Sequence, residues 1–209
     1  MNHIDISPTP SGEALGGGRT FRLAFILMLY FSLNGCCLSL MPIVGGELQD
    51  TLRLSESQIG LLTSVMMFML GAAAIPAGLA GARWGGRVLI ATCGFYVAGS
   101  LLFALSHSFG WLLAARALQG TAGGVTVPAC TAVLSSCVTP ACRAKAWGVF
   151  GTGHGAGVMF ALLVMPKVAE WGGYRGVFLV VAGVAAVFSA AIALLRPVRA
   201  LPLHTVGFT

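Results

Sequence analysis

Six stretches of this sequence are long and apolar enough to cross a bilayer, and none carries an Asp, Glu or Lys at depth: Leu23–Val44, Ile59–Ala82, Val88–Leu105, Trp111–Leu134, Ala146–Met165 and Gly176–Leu195. A spanning helix needs about 20 predominantly apolar residues. In lipid every backbone polar group must be satisfied within the protein, so the choice is helices or a closed barrel. Barrel strands alternate in polarity, and these runs do not. With 57% hydrophobic and 9% charged residues over 209, the chain has too little polar surface for water. The expectation is an all-α membrane bundle of six helices spanning 21–196. A polar tail rich in Pro, Gly and Ser (1–20), expected to be disordered, precedes it, and a basic tail (197–209) follows. Residues 1–20 do not have the form of a cleaved signal peptide.

Charge sets the direction. With the N-terminus in the cytoplasm, Arg19, Arg22, Arg83, Arg87, Arg143, Lys145, Arg196 and Arg199 lie inside, and Arg53, Lys167 and Arg175 outside. That is the positive-inside pattern, and six spans return the C-terminus to the cytoplasm. The net charge of +6 thus points to the inner face of a membrane and not to nucleic acid. Four of the six acids (Glu47, Asp50, Glu56, Glu170) fall on the outer side. Trp84, Trp111, Trp147 and Trp171 stand near span ends and read as an interfacial belt. The cysteines show no metal-ligand spacing and read as small packing residues. No metal and no cofactor are expected.

The strongly polar groups at membrane depth are Arg116, Gln119, His154 and Asn34. Intramembrane polar groups are costly and usually functional. Arg116 has two readings: a side chain that snorkels to the outer headgroups, or an inward guanidinium that binds an anionic substrate or modulates proton movement, with Gln119 one turn on. His154, near the midplane, is either a packing residue or a substrate or proton-coupling site. Asn34 either faces the same cavity or bonds a neighbouring helix. Many of the 29 glycines lie inside spans, where they let helix backbones approach; Gly120, Gly124, Gly153 and Gly157 are the packing candidates.

Five short stretches, "LMPIVGGEL" (40–48), "LSESQIGLLTS" (54–64), "GLAGARWGGR" (78–87), "RALQGTAGG" (116–124) and "GGYRGVF" (172–178), stand in an order that, over residues 21–196, resembles the major facilitator superfamily. "GLAGARWGGR" (Gly78–Arg87), between spans two and three, is similar to that family's G-x-L-x-D-R-x-G-R-R. Gly78, Arg83, Gly85 and Arg87 match it, whereas Ala82 stands at the Asp position and Gly86 at a basic one. "RALQGTAGG" (Arg116–Gly124) resembles R-x-x-x-G-x-G, with Gly120 the firm match and Gly124 one place late. "LMPIVGGEL", "LSESQIGLLTS" and "GGYRGVF" resemble the end of span one and the approaches to spans two and six. "RWGGR" and "WGGYR" echo one another, as inverted three-helix repeats imply.

The resemblance implies the N-terminal half of a secondary transporter of a small solute, in the inner membrane, working by alternating access. Spans one, two, four and five would line its cavity. The loop at Gly78, Arg83, Gly85 and Arg87 would act as a conformational switch. A second six-helix bundle, or self-association, is the implied partner beside the bilayer and the solute. An anionic solute is favoured by Arg116 and His154. The fifth span lacks the G-P-x-x-G-G of drug/proton antiporters, which leaves efflux, or a half that is inactive by itself, as the alternatives. No enzyme is expected: Gly-x-Ser-Gly is absent, and no His/Glu pair lies on a helix.

Overall fold

A computed structural model describes residues 17–194, without the side chains of Arg19, 79–87, 136–137 and 193–194. The conformational-switch candidates Arg83, Gly85 and Arg87 therefore fall outside the side-chain description; Gly78 is exposed on a helix. The order is α1 (Gly17–Leu38), α2 (Met41–Leu52), α3 (Glu56–Leu105), α4 (Phe109–Cys137) and α5 (Pro140–Leu194). α1 starts at Gly17 and buries Thr20, so the last residues of the expected tail are helical.

The expected first span, Leu23–Val44, is broken. Pro42 has no N–H to give to the carbonyl of Leu38, and its ring presses on that carbonyl. α1 stops at Leu38, with Ser39 N–H bonded to Gly35 O and Cys36 O at 3.3 and 3.0 Å. α2 restarts from Leu40, whose carbonyl takes the N–H groups of Ile43 and Val44. α2 ends where Arg53 turns left-handed (φ 53°).

α3 opens on a capping box. Ser55 Oγ accepts from the Gln58 N–H at 3.3 Å, and Gln58 Oε1 accepts from the Ser55 N–H at 2.9 Å. Its 50 residues cannot run straight. Met66 and Ser100 both bond to the Arg116–Gln119 pair, yet a straight helix would hold them about 51 Å apart. The chain doubles back between its apolar stretches Glu56–Gly78 and Val88–Leu105. α5 does the same at Gly173, whose φ of 60° is outside the helical region and open to glycine. Phe160 and Val184, from its two legs, line one small cavity, while a straight helix would separate them by about 36 Å. The helix runs through Pro166, Lys167 and Glu170, so the turn before the last leg is shorter than expected.

Among the described residues this gives six long helical segments, with α2 extending α1. Four helical stretches are long and apolar enough to cross a membrane: Thr20–Leu38, Glu56–Gly78, Val88–Leu105 and Pro140–Ile192, the last holding both legs of α5. α4 packs mostly on α3, and α1 on α5. One end of the bundle gathers α2, His107 and the Gly173 turn. There Glu47 lies against the Gly173 backbone, Arg175 Nη2 meets His107 Nε2, and Arg175 Nε donates to Tyr174 Oη at 3.3 Å. The cysteines 36, 37, 93 and 130 are buried free thiols. Of the tryptophans, Trp111 and Trp171 are exposed, but Trp147 is half-buried and meets Phe150 edge to face.

Candidate functional site

Two backbone seams build the site. On α4, Gly120 and Gly124 stand one turn apart over the carbonyls of Met66 and Leu70 on the first leg of α3. On α5, Gly153 and Gly157 stand over the carbonyls of Met28 and Ser32 on α1. In each case a Cβ would collide with backbone oxygen. All four glycines are buried, while Gly151 and Gly155 are exposed and face open space. Helix periodicity explains the split: residues four apart share a face and residues two apart do not. Approach this close replaces the hydrophobic drive that lipid cannot supply between helices.

The first seam places Arg116 at 0% exposure, one turn before Gly120. Its guanidinium does not reach the bundle surface, which removes the snorkelling alternative. Nη1 donates to Cys37 O at 3.0 Å, to Gln119 Oε1 at 3.1 Å and to Met66 Sδ at 3.2 Å. Arg116 has only donors, so it fixes the amide with Oε1 towards it, and Gln119 Nε2 in turn donates to Ser100 Oγ at 3.0 Å. Gly99, beside Ser100, leaves the space that the Gln119 stem fills. The guanidinium carbon lies 5.3 and 5.4 Å from the ring centres of Phe103 and Phe178, which are themselves stacked 3.8 Å apart. Nearly equal distances to a stacked pair put the cation beside the rings and not over a face. The ring edge is the positive side of the quadrupole, so the aromatic pair encloses the charge more than it neutralises it. Among the described residues Nε and Nη2 are buried without a hydrogen-bond partner.

Asn34 is buried one layer away. A Cβ on Gly123 would meet Asn34 Nδ2 at 2.6 Å and Tyr96 Oη at 3.4 Å, so Gly123 makes room for both. Next to them Tyr30 Oη meets Thr92 Oγ1 at 2.5 Å, and Thr126 Oγ1 lies 3.4 Å from the same phenol. Thr92 gives its proton to Leu89 O and Thr126 gives its own to Ala122 O, so Tyr30 is the donor to Thr92. The sequence reading missed this layer, and it missed Ser100, Met66, Phe103 and Phe178 around Arg116. The available signal was a hydroxyl or phenol inside an apolar run, which by itself does not say what it meets.

His154 is not brought to Arg116. It lies half-buried on the second seam, its ring 5.7 Å from that of Phe31, which stacks on Phe150 at 4.9 Å. Its carbonyl, not its ring, carries the closest backbone contact, against Gly35. The four polar candidates therefore divide: Arg116, Gln119 and Asn34 are inside the bundle, and His154 lies at the margin of an aromatic strip. Close by, Ser32, Cys36, Phe160, Met165, Val181 and Val184 line a cavity of about 20 Å³, room for about one water.

Comparison with known proteins adds the fold's relatives. The sequence pattern of the Major Facilitator Superfamily matches residues 23–207. The Inner membrane transport protein YajR of Escherichia coli (strain K12) is 28% identical over 183 residues, covering 87% of this chain and 38% of that protein. A bacterial homologue of the human lysosomal transporter Spinster, solved inward-facing, superposes with a TM-score of 0.76 in its occupied form, at 21% identity over 87% of this chain and 45% of that one. Its unoccupied form gives 0.79 at 19% identity, over 91% and 45%. A peptide transporter in complex with alafosfalin gives 0.74 at 19% identity, over 90% and 41%. The chain spans less than half the length of each of these proteins.

Proposed function

This chain belongs to the major facilitator superfamily, and on that premise we propose that it forms the N-terminal six-helix half of a secondary transporter that carries a small anionic solute by alternating access against a second bundle. Six crossings, cytoplasmic termini and an inner-membrane location are part of the reading; the distribution of arginine and lysine supports the orientation. Inverted three-helix repeats are supported by the seams. The contact of Gly35 on α1 with His154 O on α5 has a counterpart in that of Gly120 on α4 with Met66 O on α3, as a twofold exchanging α1 with α4 and the first legs of α3 and α5 would require. Seams with glycine directly on backbone oxygen also suit a body that rocks as one piece.

The observation that carries the anion assignment is the charge of Arg116. It is buried, and among the described residues it has no carboxylate partner and two of its nitrogens have no hydrogen-bond partner. A lone positive charge in a low-dielectric bundle favours an anion by its field, without needing to touch it. His154, half-buried beside Phe31, is the proposed contact residue. The test is uptake of a panel of small anions and cations into vesicles holding the full-length transporter. The expected result is anion uptake with a KM at least tenfold higher in Arg116→Gln. Transport confined to cations, or an unchanged KM, overturns the assignment.

A further inference from the structure

The buried arginine and the broken first span are one device. In an unbroken helix the Met41 N–H would take the Cys37 carbonyl, but the break at Ser39–Leu40 redirects the backbone bonds to Gly35, Cys36 and Leu40, and among the described residues none from Met41 reaches Cys37 O. Cys37 O is among the last carbonyls of α1, where the helix dipole concentrates negative charge. That carbonyl accepts from Arg116 Nη1, reached from α4 at 3.0 Å. The cation thus finds in a helix end the partial negative charge that no carboxylate supplies. The helix end in turn finds a donor in place of the Met41 N–H that the break turns away.

We propose that Arg116 is a latch on the α1–α2 break: its bond to Cys37 O fixes the direction in which α2 leaves α1, and its release lets α2 swing at the bundle end where Glu47 meets Gly173. Ser100 and Gln119 are the positioning residues of the latch, because their hydrogen bonds hold the guanidinium at the helix end. α2 is a separate element after the break. It is a 12-residue helix whose buried side chains include Val44 and Leu48, and its start has no side-chain cap. The inference holds whatever solute is carried, since it concerns two elements of the chain and not the substrate.

The experiment is a double-mutant cycle between Arg116 and Pro42. Val44, buried at 0% exposure, is replaced as Val44→Cys to report when α2 lifts. Full-length protein in native membranes is reacted with a maleimide, and labelling at 44 is compared with the parent lacking that cysteine. Arg116→Gln is expected to raise the labelling rate about tenfold, the scale of a lost hydrogen bond to a charged group. Arg116→Lys, which keeps the charge but not the planar fork, is expected to raise it about threefold, and serves if the glutamine variant fails to fold. In a Pro42→Ala background the helix can close through Met41, so the same substitutions should change the rate by less than about twofold. Equal increases in the two backgrounds, or no increase with Pro42 present, overturn the latch. Neither result depends on uptake, so failure here is separate from failure of the anion assignment.

Discussion

The α3–α4 seam and the α1–α5 seam use one backbone device for two ends. Each sets a pair of glycines four residues apart on carbonyls four residues apart, Gly120 and Gly124 on Met66 and Leu70, Gly153 and Gly157 on Met28 and Ser32. Beside the first lies a fully buried charge with its hydrogen bonds held by Gln119, Ser100 and Cys37 O. Beside the second lies a partly open strip of Phe31, Phe150 and His154. Close helix packing therefore does not determine what a seam carries. The side chains one turn away decide whether it becomes a fixed polar hub or a surface a solute can meet.

The comparison breaks first at the glycines. Gly157→Val puts a branched side chain onto the Ser32 carbonyl and should prevent recovery of folded protein from detergent. Gly120→Ala and Gly153→Ala should each cost about 3 kcal/mol, at the upper end of overpacking. The controls are Gly151→Ala and Gly155→Ala, which meet nothing within 4 Å and should leave the melting temperature unchanged or slightly raised. If the two pairs of glycines respond alike, the seams are not what holds the helices.

Arg116→Gln should come next, at about 2 kcal/mol by thermal unfolding. Lost charged hydrogen bonds are partly offset by no longer burying a charge. Gln119→Glu sharpens the comparison in the other direction. It sets a carboxylate where Gln119 Oε1 lies 3.1 Å from the Arg116 nitrogen, so the fold should be retained while anion uptake falls at least tenfold. Retained uptake would mean that the charge of Arg116 is not what the solute responds to.

Among the polar candidates the smallest structural effect is expected at His154. His154→Gln removes one tilted ring contact and should cost about 1 kcal/mol or less. Its effect on uptake should nonetheless exceed that of Asn34→Ala relative to the stability each loses, because His154 is half-open and Asn34 is buried. A measurement of uptake and melting temperature on both variants checks this. The reverse ranking would move the solute contact from the second seam to the interior of the bundle.

Much of the architecture could be read from residue order. Apolar runs free of carboxylates, turn residues between them and arginines at their ends pointed to long helices, although the first expected span is broken after Leu38 and α5 begins before Ala146 and runs past Met165. Arg116, Gln119, Asn34 and His154 stood out because polarity at depth is costly. The break in the first span was also legible in principle, since Pro42 cannot continue an α-helix. Tyr30, Ser100 and Phe178 were not legible as site residues. Their partners are far away in the chain, as Tyr30 is from Thr126 and Ser100 from Gln119, and a lone hydroxyl or ring in an apolar run has the same appearance whether it packs or bonds.

By itself, then, the sequence determined the class of molecule, its helical segments and the short list of costly groups, because hydropathy and charge act locally and do not depend on who the neighbours are. Only the tertiary structure decided that Gly153 and Gly157 face α1 while Gly151 and Gly155 face away, and that Arg116 turns inward to the end of α1. It also separated His154 from the other three polar candidates. Helix rotation and pairing fix those choices, and they follow from the fit of backbone against backbone, which no single segment contains.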